Sequence, residues 1–155
     1  MLRDLILRFK NSRELSLSRL LGSFFVNHPA ITGPYDAVVP IPLHPKRLRD
    51  RGFNQAVELA KILAAHLDTR LLSGGIARSV DTHPQAGLSR QERSRNVLGI
   101  FTASPEAAEK KLLLVDDVAT TCATVRSATL ALLDAGASSV DIAVLARTPG
   151  DSSLI

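Results

Sequence analysis

Apolar residues recur at three- and four-residue intervals near the start of the chain: Leu2, Leu5, Ile6 and Phe9, then Leu17, Leu20, Leu21 and Phe24 after a polar break at Asn11 to Arg13. That period predicts two amphipathic helices. Past the turn-rich His28-Pro29 and Gly33-Pro34, the continuous run Ala37-Val38-Val39 predicts a short buried strand, which Pro40 and Pro42 stop. From Asn54, a good N-cap type, Val57, Leu59, Ala60, Leu63, Ala64 and Leu67 share one face of a helix of about four turns. A weaker strand signal lies at Arg70 to Leu72 or Ile76 to Arg78. Ser79 to Leu88 holds Pro84 and Gly87, lacks any period and predicts a loop. Ser89 and Glu92 then have capping-box spacing for a short helix toward Asn96 that would carry Arg90, Arg93 and Arg95.

The last third carries the clearest pattern. Leu112 to Val115 is apolar throughout; two carboxylates, a Thr-rich turn and a helix ending at Gly136 follow, and Ser139 to Ala146 predicts a second buried strand. Strand, turn, helix and strand in that order, with both strands apolar on both faces, predict a βαβ unit on a parallel sheet. The expected class is α/β, a mostly parallel central sheet flanked by helices. A helical segment (1–34) is expected to pack on a domain formed by 35–155.

With 155 residues, 45% of them hydrophobic, the chain can bury one ordinary core. A formal charge of +4 and a pI near 9.7 suit a phosphorylated ligand or nucleic acid. The single cysteine, Cys122, excludes an intrachain disulfide and a cysteine-based zinc site. Leu20 to Val26, broken by Gly22 and Ser23, is too short to span a membrane, and no signal-cleavage pattern follows it, so a cytoplasmic protein is expected. The four histidines are scattered, with no carboxylate at ligand spacing, which argues against a protein-bound transition metal.

Ligands of open α/β sheets bind beyond the carboxyl ends of the strands. After Leu112 to Val115 that position holds Asp116-Asp117-Val118-Ala119-Thr120-Thr121-Cys122-Ala123-Thr124. Small and hydroxylated residues running into a helix N-terminus offer converging N–H and O–H donors to a phosphate. Paired carboxylates repel phosphate but suit the vicinal hydroxyls of a ribose, with Mg²⁺ screening the charge. In the plainer alternative, Asp117 ends a strand and Thr120, Thr121 and Thr124 cap a helix. Neither G-x-x-x-x-G-K-[ST] nor G-x-G-x-x-G occurs, so P-loop and Rossmann binding lack support.

On these residues the chain resembles the type I phosphoribosyltransferases, whose signature is an apolar strand, two acidic residues and a Thr-Thr-Gly-x-Thr loop. More narrowly it resembles the ComF/GntX family, through Val39-Pro40-Ile41-Pro42-Leu43-His44-Pro45, Arg51-Gly52-Phe53-Asn54-Gln55, Gln85-Ala86-Gly87-Leu88 and Arg93-Ser94-Arg95-Asn96. The likeness covers Tyr35 to Arg147. It implies the type I phosphoribosyltransferase fold and binding of 5-phosphoribosyl-1-pyrophosphate (PRPP) with Mg²⁺, the metal arriving through the ligand near Asp116 and Asp117. It further implies Asp116 and Asp117 as the catalytic pair on the ribose, and Thr120, Thr121, Cys122, Ala123 and Thr124 as the loop on the 5-phosphate.

In the implied fold the loop after the first strand lies beside the site, which makes Lys46, Arg47 and Arg51 the candidates for the pyrophosphate; otherwise the cluster is a solvated or nucleic-acid-facing patch. Ser79 to Asn96 matches the loop that closes over the site in such enzymes. Gln85, Arg93 and Asn96 could there touch the ligand or tie the loop to the body.

Two departures stand out. Family members usually carry an N-terminal zinc ribbon of paired cysteines, and this chain is expected to be a form lacking it. Cys122 stands where the family has glycine; if the backbone there needs a positive φ, a side chain costs about 1 kcal/mol or more, and the sulfur narrows the space for the 5-phosphate.

The resemblance also implies a part in competence and DNA uptake, so the rival to phosphoribosyl transfer is an interaction module that contacts single-stranded DNA or a partner protein. Against direct DNA contact stand the 4% aromatic content, one tyrosine and no tryptophan, because bases stack on aromatic side chains. The acceptor nucleophile has no signature. Exposed apolar faces on the first two helices could support a homodimer.

Overall fold

A computed structural model describes residues 2–11, 16–78, 100–119 and 122–147. Two helices, α1 (Leu2–Asn11) and α2 (Ser16–Val26), precede strand β1 (Ala37–Pro40). Helices α3 (Pro45–Arg51) and α4 (Gln55–His66) come next, then three short strands, β2 (Arg70–Leu71), β3 (Ile76–Arg78) and β4 (Phe101–Ala103). A 3₁₀ turn at Pro105–Ala107 leads to β5 (Lys111–Ala119), α5 (Ala123–Asp134) and β6 (Ser139–Arg147).

The main sheet has the order β2-β1-β5-β6 with every neighbour parallel, while β3 and β4 form a separate antiparallel pair. An all-apolar run such as Leu112 to Val115 fits this sheet because successive side chains point to opposite, equally buried faces. Val39, Leu112 and Leu114 meet Val125, Ala128 and Leu132 of α5 together with Ile76 and Phe101 of the small sheet. Val38, Leu113 and Val115 meet Leu59 and Leu63 of α4 with Ile6, Phe9, Leu21 and Phe25 of α1 and α2. The N-terminal helices thus belong to one of the two cores. Gly22 lets α2 approach α4 closely, since a Cβ there would lie 2.7 Å from Ile62 Cδ1.

The two N-terminal helices, the buried β1, α4 and the order β5-α5-β6 are present, and α4 opens at Asn54, whose side chain accepts from Ala56 N–H at 3.0 Å. The second strand of that unit, expected to be buried, is instead at the edge of the sheet among the described residues, and Ala143 is its one buried residue. Four further features differ. Both of the alternative weak strands form, β2 in the main sheet and β3 outside it. The basic stretch after β1, read as a loop, is the helix α3. Strand β4 has no counterpart in the sequence reading. Finally, β5 does not stop at Val115 but runs to Ala119, so Asp116 and Asp117 lie within the strand, because β6 pairs with it as far as Ala119↔Arg147. The helix expected at 89–96 lies outside the described residues. Among the described residues, no helix is long and apolar enough to cross a membrane.

Candidate functional site

Parallel strands bring their carboxyl ends to one edge of the sheet, where the helices that follow them begin. Here that edge gathers the ends of β1 and β5 and the starts of α4 and α5. Asn54 ties the start of α4 to the end of β1 by donating from Nδ2 to Ile41 C=O at 3.0 Å, and Ile41 N–H in turn donates to Val115 C=O at 2.9 Å.

Asp117 continues the Leu113-Val115 side of β5, facing α4, and Asp116 continues the Leu112-Leu114 side, facing α5. Asp117 is 8% exposed, and Asp116 is half-buried. Each carboxylate accepts from the next backbone N–H, Asp116 Oδ1 from Asp117 and Asp117 Oδ1 from Val118, both at 2.8 Å. These bonds fix one oxygen of each group and hold it in its rotamer. Both donors are hard oxygens suited to Mg²⁺ or to hydroxyls. Among the described residues no group of three or more His, Cys, Asp or Glu is placed to hold a metal. That donor set fits a Mg²⁺ coordinated largely by ligand oxygens and water rather than by a protein cage.

Cys122 occupies the N-cap of α5 with φ 55 and ψ −1, a left-handed conformation, and its side chain makes no capping hydrogen bond. The positive φ that would favour glycine is therefore present, and a cysteine adopts it. Cys122 as a residue is half-buried and packs against the core on the α5 side. Of the first-turn residues, Ala123 is half-buried and Thr124 exposed, so their N–H groups open toward the carboxyl edge with the positive end of the helix dipole. Thr120 and Thr121 lie outside the described residues, as do Gln85, Arg93 and Asn96.

The basic segment is built as a capped helix. Pro45 stands at its start, His44 Nδ1 accepts from Lys46 N–H at 3.2 Å, and Gly52, with φ 80, ends it by donating to Leu48 C=O at 2.8 Å. Lys46 and Arg47 are exposed, whereas Arg51 is half-buried and donates from Nη1 to Gln55 Oε1 at 3.2 Å. Phe53 packs on Phe9 of α1 with ring centroids 5.6 Å apart, which ties this corner to the N-terminal helices.

Two further residues belong to the site and escaped the sequence reading. Arg78, the last residue of β3, lies 5.7 Å from the centroid of the Phe101 ring. Its pKa is lowered, first by burial and then by the positive charge of Arg47. Two guanidinium groups from separate elements therefore raise the potential at one place, which an anion would relieve. Gln55, the first residue of α4, is 1% exposed, and its Nε2 finds no hydrogen-bond partner among the described residues. Its place in the Arg51 to Gln55 string was the only signal available.

Residues 54–154 match the family described as the phosphoribosyl transferase domain. The DNA utilization protein YhgH of Escherichia coli is 34% identical over 146 residues, covering 92% of this chain and 64% of that protein. Competence protein F of Haemophilus influenzae is 33% identical over 115 residues, 72% of this chain and 50% of that one. The chain thus spans between half and two thirds of the length of these curated relatives. Among solved structures, the glutamine phosphoribosylpyrophosphate amidotransferase from B. subtilis, complexed with ADP and GMP, matches with a TM-score of 0.60 at 18% identity, over 83% of this chain and 26% of that one. A likeness at that identity bears on the fold alone.

Proposed function

Since the chain belongs to the phosphoribosyl transferase domain family, as a ComF-like member, we propose that it binds PRPP with Mg²⁺ at the carboxyl edge and transfers the phosphoribosyl group with release of pyrophosphate. The observation that carries this reading is the pair Asp116 and Asp117, each held by the next backbone N–H, one turn of chain before a helix N-terminus. Asp116 and Asp117 accept from the ribose hydroxyls. The first-turn N–H groups of α5 bind the 5-phosphate, and Thr120 and Thr121 stand in the same segment of sequence. Lys46, Arg47, Arg51 and Arg78 offer cations to the pyrophosphate.

In the reaction, the bond from the anomeric carbon to the pyrophosphate oxygen breaks and its electron pair leaves with pyrophosphate, while a lone pair of the acceptor forms the new bond. The transition state resembles an oxocarbenium ion, so this chain's contribution is positioning and charge stabilisation rather than a nucleophilic side chain. Mg²⁺ bound through the ligand supplies neutralisation of the departing pyrophosphate.

The test is calorimetric titration with PRPP and Mg²⁺ of the wild-type chain and of Asp117→Asn, with circular dichroism to check folding. Loss of a charge-assisted hydrogen bond pair is expected to weaken binding by about ten- to a hundredfold. An Asp117→Asn protein that folds and binds as the wild type does would sink the assignment.

A second reading is favoured by the names of the relatives and by α3, a basic helix with no buried residue. The chain is then an interaction module in competence or DNA use that contacts single-stranded DNA or a partner protein. Log affinity for single-stranded DNA would fall linearly with log salt. Asp117→Asn would leave that binding intact.

A further inference from the structure

Gln55 is the first residue of α4 and is 1% exposed. It stands at the corner where the carboxyl ends of β1 and β5 meet, because its neighbour Asn54 bonds Ile41 C=O and Ile41 N–H bonds Val115 C=O. A buried carboxamide brings both an acceptor and donors that need partners. The acceptor, Oε1, takes Arg51 Nη1 at 3.2 Å, while Nε2 has no partner among the described residues. An apolar side chain of the same volume would fill this place with no donor left over, so packing does not account for the amide.

The bond to Arg51 crosses from one helix to the next. Arg51 ends α3, Gly52 with φ 80 turns the chain, and α4 begins at Gln55. Helix α3 buries no residue, and among the described residues this is the one side-chain hydrogen bond that leaves it. Arg47 and Arg51 lie on one face of α3, four residues apart. The charge of Arg47 in turn reaches Arg78. Of these three guanidinium groups, Arg51 is the one tied to the body of the domain by a hydrogen bond to a buried side chain.

We propose that Gln55 is a positioning residue for anion binding at the carboxyl edge: its buried carboxamide holds the Arg51 guanidinium toward the pyrophosphate of the ligand without neutralising it. A carboxylate at this position would hold Arg51 in a stronger, bidentate pair, but it would cancel the charge that the anion needs. A carboxamide fixes one Nη1–H and leaves the other N–H groups and the whole charge to the ligand. This role rests on the PRPP reading of the site.

Calorimetric titrations with Mg²⁺ and each of PRPP, inorganic pyrophosphate and ribose 5-phosphate separate the two arms of the ligand, with circular dichroism to check each variant. Gln55→Met keeps the side-chain volume and is expected to weaken PRPP and pyrophosphate binding about tenfold, leaving ribose 5-phosphate binding unchanged. Arg51→Met is expected to lose at least as much. The double variant is expected to lose no more than Arg51→Met alone, since a residue that acts through Arg51 has nothing to act on once Arg51 is gone. Gln55→Glu keeps Arg51 in place but neutralises it, and is expected to weaken pyrophosphate binding as well; should Gln55→Met not fold, Gln55→Glu decides. Wild-type affinity for PRPP in Gln55→Met overturns the role and leaves the site standing. So do additive losses in the double variant, which a merely structural Gln55 would give, and so does tighter pyrophosphate binding by Gln55→Glu. A wild type that binds neither PRPP nor ribose 5-phosphate refutes the PRPP reading itself, and this role with it.

Discussion

Replacing Cys122 with alanine and with glycine should reverse the usual order of stability. At an ordinary helical or extended position, alanine is more stable than glycine by about 0.5–1 kcal/mol, because glycine loses more backbone entropy on folding. Cys122 has φ 55, where any L side chain costs about 1–2 kcal/mol. Both replacements lose the thiol, so the difference between them isolates the Cβ. Setting about 1–2 kcal/mol of relief against about 0.5–1 kcal/mol of entropy leaves glycine ahead by about 0.75 kcal/mol at the middle of both ranges. With a urea slope of about 1–3 kcal/mol/M, the midpoint of the glycine variant should stand a few tenths molar above that of alanine. An alanine variant as stable as glycine, or more so, would refute the claim that this turn is strained. Because the first-turn N–H groups proposed to take the 5-phosphate follow directly on this residue, Cys122→Gly is also expected to bind PRPP more tightly than the wild type, and Cys122→Ala to fall between the two.

Tyr35 is the only tyrosine and there is no tryptophan, so its ionisation can be followed by absorbance alone. Burial, the hydrogen bond to Asp141 and the charge of that carboxylate push its pKa from 10.0 up to about 12. The raised value means that the folded state holds the phenol proton more tightly. Tyr35 therefore contributes stability in full below pH 10 and loses it as pH rises through 12, and Asp141→Asn should move the midpoint back toward 10. A wild-type midpoint at the ordinary tyrosine value would contradict this. Gln55→Met removes a buried amide whose Nε2 has no partner among the described residues and keeps the side-chain volume, so urea unfolding should show stability within about 1 kcal/mol of the wild type. A larger loss would mean that the bond from Arg51 outweighs the orphaned donor.

How much of this was legible in the sequence depended on whether the cause was local. The β5-α5-β6 unit could be read because β5 is a continuous apolar run buried on both faces and a glycine with φ 93, Gly136, follows the helix end. Asn54 announced α4 by the same local logic. The true end of β5 could not be read, because Asp116 to Ala119 stay extended only through their pairing with β6. The three-residue strands β3 and β4 are too short to show a period. The role of Arg78 depends on Arg47 and Phe101, which are distant in sequence, and only the folded chain brings their charges and rings together.

Helix α3 was missed for a different reason, and that reason bears on function. Amphipathic patterning finds helices that bury a face, and α3 buries none of its seven residues. Isolated helices shorter than about 12–15 residues are marginal in water, so something other than a packed face must hold this one. Its supports are terminal: Pro45 at the first position, His44 at one end and the left-handed Gly52 at the other, with Arg51 bonded to Gln55 beyond it. A capped helix without a buried face adds little to the core. What it does is keep Lys46, Arg47, Arg49 and Arg51 beside the carboxyl edge against a single carboxylate, Asp50, with the charge of Arg47 felt by the half-buried Arg78. That concentration of positive charge favours an anion beside it, which is the physical ground for proposing that the pyrophosphate of the ligand sits there.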